Sequence, residues 1–174
     1  MAAPVVSLYE GTTNISGSNV VEMNTWNIGE IDATSESPVL NLLVWNNRAG
    51  AADVSDMQDC TVACYGGADA NLTDHMIAKN WMKVKVNSAG ESAFADLGAN
   101  AAAGGAAILH PMRAAGTEVG TELQPKFLIK GTANTGALTD AVNFADIDLK
   151  VVPDANNAPA GNHSFIVRFN YFYT

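Results

Sequence analysis

The sequence predicts an all-β fold: a single-domain antiparallel β-sandwich, jelly-roll or Ig-like, with little helix, spanning residues 1–174. Three observations predict it. The first is the stretch His163 to Thr174, HSFIVRFNYFYT, where Phe165, Val167, Phe169, Tyr171 and Tyr173 fall on every second residue. Ser164, Ile166, Arg168, Asn170 and Phe172 fall between them. A period of two marks a strand with one strongly apolar face, whereas residues two apart on a helix point in different directions. The second is composition. Charged residues are 16%, against roughly 25% in an ordinary soluble domain. Lys and Glu, good helix formers, give way to Asn, Thr, Ser, Gly and Ala. The third is punctuation: short apolar runs alternate with turn signals along the whole chain.

Taken in order, Pro4 to Tyr9 reads as a first strand, followed by turn chemistry in EGTTNISGS. Asn19 to Ile28 alternates imperfectly and is expected to be a strand ending near Gly29. Val39 to Asn46, VLNLLVWN, is apolar nearly throughout, as a strand covered on both faces should be. Gln58 to Tyr65 is the next strand. Leu72 to Lys79 has room for one or two turns of helix, with Thr73 or Asp74 as N-cap. Asn80 to Asn87 alternates cleanly, with Met82, Val84 and Val86 inward and Trp81, Lys83 and Lys85 outward. Glu91 to Leu97 is a weak strand, and Gly98 to Ala107 a small-residue loop. Short strands are expected at Ala107 to Met112 and Lys126 to Lys130. Phe144 to Val152 alternates, with Ala145, Ile147, Leu149 and Val151 on one side. A Pro/Asn/Ala/Gly turn then leads into the terminal strand, which is expected to be tied into a sheet.

Charge and spacing exclude several functions. Net charge is −9 with no basic cluster, so neither nucleic acid nor an anionic membrane is expected as a partner. The longest apolar run, Val39 to Trp45, is too short to span a bilayer. The start MAAPVVSLYEG lacks a basic segment and an apolar run of signal length, which predicts folding in the cytoplasm. Cys60 and Cys64, four apart on one strand, lie about 13 Å apart at roughly 3.3 Å per residue. A disulfide needs Cα atoms within about 7 Å, so the two read as buried thiols. His75, His110 and His163 are isolated in sequence, and Asp53, Asp56 and Asp59 lack the Gly and terminal Glu of an EF-hand loop. With no nucleophile elbow or phosphate-binding loop either, the expectation is no cofactor, no metal and no enzyme. The candidate subunit contacts are Trp81, on the outward face of its strand, and Arg168 and Phe172, on the outer face of the last one.

The strand and loop PVLNLLVWNNRAG and the closing segment LKVVPDANNAPAGNHSFIVRFNYFYT resemble the β-sandwich structural proteins of tailed-phage virions, the capsid decoration and head-to-tail neck proteins. The resemblance is one of style across most of the chain. It implies a structural subunit assembled in the host cytoplasm and located in the virion, which stabilises capsid or neck by binding between neighbouring shell subunits. The implied partners are the major capsid or neck protein and further copies of the chain, as a trimer or higher ring. The chain's end is also similar to chaperone-usher pilus subunits, which carry a Gly fourteen residues from the C-terminus and a penultimate Tyr, positions held here by Gly161 and Tyr173. That similarity implies polymerisation by strand exchange. A carbohydrate-binding module is the third reading, with tryptophans such as Trp81 as the sugar platform.

Overall fold

A computed structural model describes residues 1–11, 22–67, 70–117, 127–156 and 158–174. Its strands are β1 Val6–Glu10, β2 Leu40–Asn46, β3 Gln58–Gly66, β4 Met82–Val86, β5 Ala95–Asp96, β6 Ala99–Asn100, β7 Ala106–Ala107, β8 His110–Pro111, β9 Phe144–Val151 and β10 Phe165–Phe172. The α-helix, α1 His75–Ala78, is a single turn, with the Asp74 carboxylate accepting from the Met76 N–H at 2.9 Å. A five-stranded sheet has the order β1-β2-β9-β4-β5, a three-stranded sheet the order β10-β3-β8, and β6-β7 form a hairpin. All strand pairings are antiparallel.

The chain winds between two layers. It passes from β2 to β3, to β4, and later from β8 to β9 to β10, changing sheet at each step. Late strands pair with early ones: β9 lies between β2 and β4, and β10 lies beside β3. Consecutive strands remain neighbours only at β1-β2, β4-β5 and β6-β7. The two sheets share one core. Leu42 and Val44 of β2, Val62 and Cys64 of β3, Met82 and Val84 of β4, and Ile147 and Leu149 of β9 are buried in it, with Phe165, Val167, Phe169 and Tyr171 of β10 packed against them. Full burial of such aliphatic side chains stabilises by about 1.5–3 kcal/mol each. On the other face of β2, Leu43 and Trp45 pack with Phe144, the last two rings 4.5 Å apart. The apolar run of β2 is thus covered on both sides.

The expected strands at β1, β2, β3, β4, β9 and β10 are present within a residue or two of their predicted ends. Five expectations need correction. In the stretch expected as a strand from Asn19 to Ile28, residues 19–21 lie outside the described residues. Glu22 forms a single bridge with Tyr9, and residues 23–28 are not strand. Met23, Trp26, Ile28 and Ile31 pack on the core at spacings of neither strand nor helix, so no regular ladder suits them. Within Lys126 to Lys130, Lys126 lies outside the described residues. Ile129 makes one bridge with Met57, and the left-handed backbone of Phe127 (φ 51°) stops it extending. The Glu91 to Leu97 strand shrinks to β5. The small-residue loop is instead the β6-β7 hairpin, turned by Ala101–Ala103 and by Gly104 and Gly105 at positive φ. Its entry, Gly98 (φ 138°), admits no side chain, because a Cβ there would lie 2.4 Å from the Ile77 carbonyl.

The fifth concerns Trp81. It was expected to face outward as a partner contact, but it is only 5% exposed. Asn80 has a left-handed backbone (φ 53°), so the alternation of β4 does not run back through it. The Trp81 N–H donates to the Met76 carbonyl of α1 and its carbonyl accepts from Val152 N–H, which seats the indole in the core.

Candidate functional site

The residues that sequence patterning placed on the outer face of the last strand lie together. β10 opposes β3, with Ile166 against Tyr65, Arg168 against Ala63, Asn170 against Thr61 and Phe172 against Gln58. The Arg168 guanidinium sits over the Tyr65 ring, 4.8 Å from its centroid, a cation–π contact that holds the charge against the sheet. Asn170 donates to the Thr61 hydroxyl at 3.3 Å. Beyond them Phe172 is 71% exposed and Tyr173 52%. An exposed phenylalanine on a strand face, next to an exposed tyrosine, is apolar area that burial in a contact would take from water.

The register shift in this pair belongs to β3. Three steps along β3, from Thr61 to Gln58, oppose two along β10, from Asn170 to Phe172. The extra residue is accommodated at Asp59, whose φ is 50°. A bulge bends the strand that carries it, so β10 runs regular to its end.

Both chain ends meet beside this face. Ser55 N–H donates to the Ala2 carbonyl at 2.8 Å, and Ser55 Oγ donates to the Thr174 main-chain oxygen at 2.9 Å. Ser55 is itself held, because Asn46 Nδ2 donates to its carbonyl at 3.0 Å. Nothing in the local sequence around Ser55 marks this role. Asp53 and Asp56, whose sequence lacks an EF-hand pattern, brace the same region: Asp53 accepts from Ala133 N–H, and Asp56 accepts from Gly131 N–H and pairs with Lys130 at 3.0 Å.

The outer face of the five-stranded sheet is different. Lys83 pairs with Asp96 at 2.6 Å, Lys85 with Asp148 at 2.8 Å and Lys150 with Glu36 at 2.7 Å. The Lys85 and Lys150 ammonium groups flank the Phe94 ring at 5.2 and 4.6 Å. Asn41 Nδ2 donates to both Asp146 and Asp148. Partial burial raises the Asp148 carboxyl, but hydrogen bonds from Lys85, Asn41 and Asn87 and the Lys85 charge outweigh it and hold it below the usual range. The three lysines on this face are thus paired within the chain, and Asp146 is held by the Asn41 and Asn87 amides. Among the described residues, Arg168 on the opposite sheet has no ion-pair partner.

A cleft of about 1150 Å³ opens between β10 and the first sheet. Leu42 and Val151 line one wall, Phe165, Val167 and Phe169 the other, and residues 23–32 cross it. The histidines are less isolated than the sequence implied, and His163 lines the cleft. His75 and His163 each meet the Trp81 ring edge-on, at 5.5 and 5.3 Å. His110 Nε2 lies 2.8 Å from a Glu91 carboxylate oxygen. Cys60 and Cys64 are buried and unpaired. Burial, with the nearby Asp59 charge for Cys60, pushes both thiols up to about 12, so neither is a ready nucleophile. Among the described residues no group of three or more His, Cys, Asp or Glu side chains is placed to hold a metal ion, and no helix is long and apolar enough to cross a membrane.

The fold and this surface define the class: an all-β antiparallel sandwich in which, among the described residues, the last strand lies at a sheet edge. Comparison with protein-family models, with curated proteins and with solved structures gives no match.

Proposed function

We propose that this chain is a non-enzymatic structural subunit of a phage particle. It stabilises the capsid or neck by binding between neighbouring shell subunits, with the major capsid or neck protein as partner and as a closed homo-oligomer, a trimer or higher ring. The observation that carries the reading is the last strand: an edge strand displaying Arg168, Phe172 and Tyr173, on a molecule whose other outer sheet face has its lysines paired internally. A net charge of −9 also suits a part that must not adhere to packaged DNA. Trp81, buried, drops out of the contact set. The carbohydrate reading, which needed that ring as a platform, is not carried forward.

The test is co-sedimentation with expanded capsids, with stoichiometry read from the same fraction. Binding at shell-scale copy number supports decoration, and a few to a dozen copies per particle supports a neck role. Phe172→Ser and Arg168→Glu are expected to weaken binding without unfolding the chain, because both side chains are exposed. A chain that stays monomeric and fails to sediment with particles refutes the proposal.

One observation favours the strand-exchange reading as a second. The cleft beside β10 lies between edge strands β1 and β10, where a donated segment would lie. Ladders of non-covalent polymers resistant to mild detergent would support it over the phage reading.

A further inference from the structure

The open edge of β10 has a definite hydrogen-bonding phase. Gly67 N–H donates to the Ser164 carbonyl at 2.9 Å, in the same register as the β3-β10 pairs. In an antiparallel pair, residues alternate between directing their backbone groups to one neighbour and to the other. Ser164, Ile166, Arg168 and Asn170 therefore direct N–H and C=O toward β3. Phe165, Val167, Phe169 and Tyr171 direct theirs to the open side. Among the described residues no backbone hydrogen bond reaches β10 from that side. Natural edges are commonly blunted by Lys, Pro or a bulge. β10 contains neither Lys nor Pro, and the bulge sits on β3.

We propose that the occupant of this edge is the β10 strand of a second copy, paired antiparallel across a two-fold axis at Phe169. The proposal rests on the assembly reading above and names one of its contacts. The phase allows only registers in which odd-numbered residues meet odd-numbered residues. Of these, the one centred on Arg168 sets two guanidinium groups directly opposite, which is destabilising. The one centred on Asn170 pushes Val167 against the partner's Tyr173, past the strand's end, and shortens the ladder. Centring on Phe169 sets Arg168 against the partner's Asn170 and Ile166 against the partner's Phe172, so the exposed ring gains an apolar neighbour. On the cleft side Val167 meets the partner's Tyr171. The three strands of one copy and the three of the other then form a continuous sheet, and each copy's open edge is closed by the other. A two-fold contact of this kind is isologous; added to a ring contact it joins rings in pairs.

Position 170 tests both the contact and its register. In the Phe169-centred pairing, Asn170→Asp creates two Arg–Asp pairs and Asn170→Lys two like-charge pairs. Sedimentation equilibrium on the full chain is expected to show a reversible dimer. Asn170→Asp should tighten it and Asn170→Lys weaken it, each by about fivefold at low salt, with both effects shrinking at high salt. Circular dichroism confirms that the exposed substitutions leave the fold intact. A wild-type chain monomeric up to its solubility limit overturns the inference. So does an Asn170→Asp variant that fails to dimerise more tightly, since the Asn170-centred register would set two carboxylates face to face. Co-sedimentation run in parallel separates the two ideas. Particle binding by a strictly monomeric chain overturns the pairing and leaves the assembly reading standing. A dimer that ignores particles supports the pairing and overturns the assembly reading.

Discussion

Ser55 Oγ donates to the main-chain oxygen of Thr174 at 2.9 Å, across a separation of 119 residues. Ser55 is 3% exposed, so its hydroxyl is sheltered, while Thr174 itself is exposed. The bond fixes the end of β10 and with it the position of Tyr173 and Phe172. Ser55→Ala removes the donor and hands the Thr174 oxygen to water, at a cost of about 1 kcal/mol. Urea denaturation should show that loss, and amide exchange at Tyr171 to Thr174 should quicken. Unchanged exchange there would mean that the end of the strand is held by something else.

Trp81 and His75 meet edge to face in the core, and neither Trp81 Nε1 nor His75 Nε2 has a hydrogen-bond partner among the described residues. An unpaired buried donor costs about 1–3 kcal/mol, while the indole's packing stabilises. Trp81→Phe keeps most of the packing and removes the donor, so stability should be unchanged or higher by about 1 kcal/mol. Trp81→Ala leaves a cavity and should cost about 3–5 kcal/mol. Chemical denaturation of the two variants measures both. A loss on Trp81→Phe as large as that on Trp81→Ala would show that the indole N–H is satisfied in solution.

Cys60 and Cys64 are raised from an ordinary 9.0 to about 12, by burial in both cases. At pH 8 the native chain should react with iodoacetamide far more slowly than the urea-unfolded chain, and both thiols should be labelled once it unfolds. The linkage has a sign. A folded-state value above the unfolded one means the unfolded chain gives up its thiol protons first. The stability associated with the protonated thiols is intact below pH 9 and is lost as pH rises from 9 toward 12. Replacing both residues with Ala should flatten that part of the stability profile. Rapid labelling of the native protein at pH 8 would contradict the burial.

Much of the fold was legible because its signals are local. The run VLNLLVWN announced a strand covered on both faces, and β2 is one, with Val44 in the main core and Trp45 against Phe144. Phe144 to Val151 and Phe165 to Phe172 alternated in sequence and form β9 and β10. Half of the candidate surface was legible in the same way: Arg168 and Phe172 lie on the outer face that their parity assigned them. Trp81 was misread because alternation was extended through Asn80, whose left-handed backbone resets the phase. The irregular course of residues 23–28 was missed because Met23, Trp26 and Ile28 find burial one by one across the cleft, without a ladder.

What the sequence by itself determined is which residues of each strand face inward. That follows from pleating alone, since successive side chains leave a strand on opposite sides whatever it pairs with. Which strands pair, and which edge is left open, only the tertiary structure decided. β9 enters between β2 and β4, the chain ends close on Ser55, and among the described residues β10 is left with one neighbour. These depend on contacts between residues distant in the chain, from Ser55 with Ala2 to Ser55 with Thr174, 119 positions apart, whose closure entropy is recovered only when the whole sandwich forms at once. No local period carries that information, and the open edge of β10 exists only in the assembled fold.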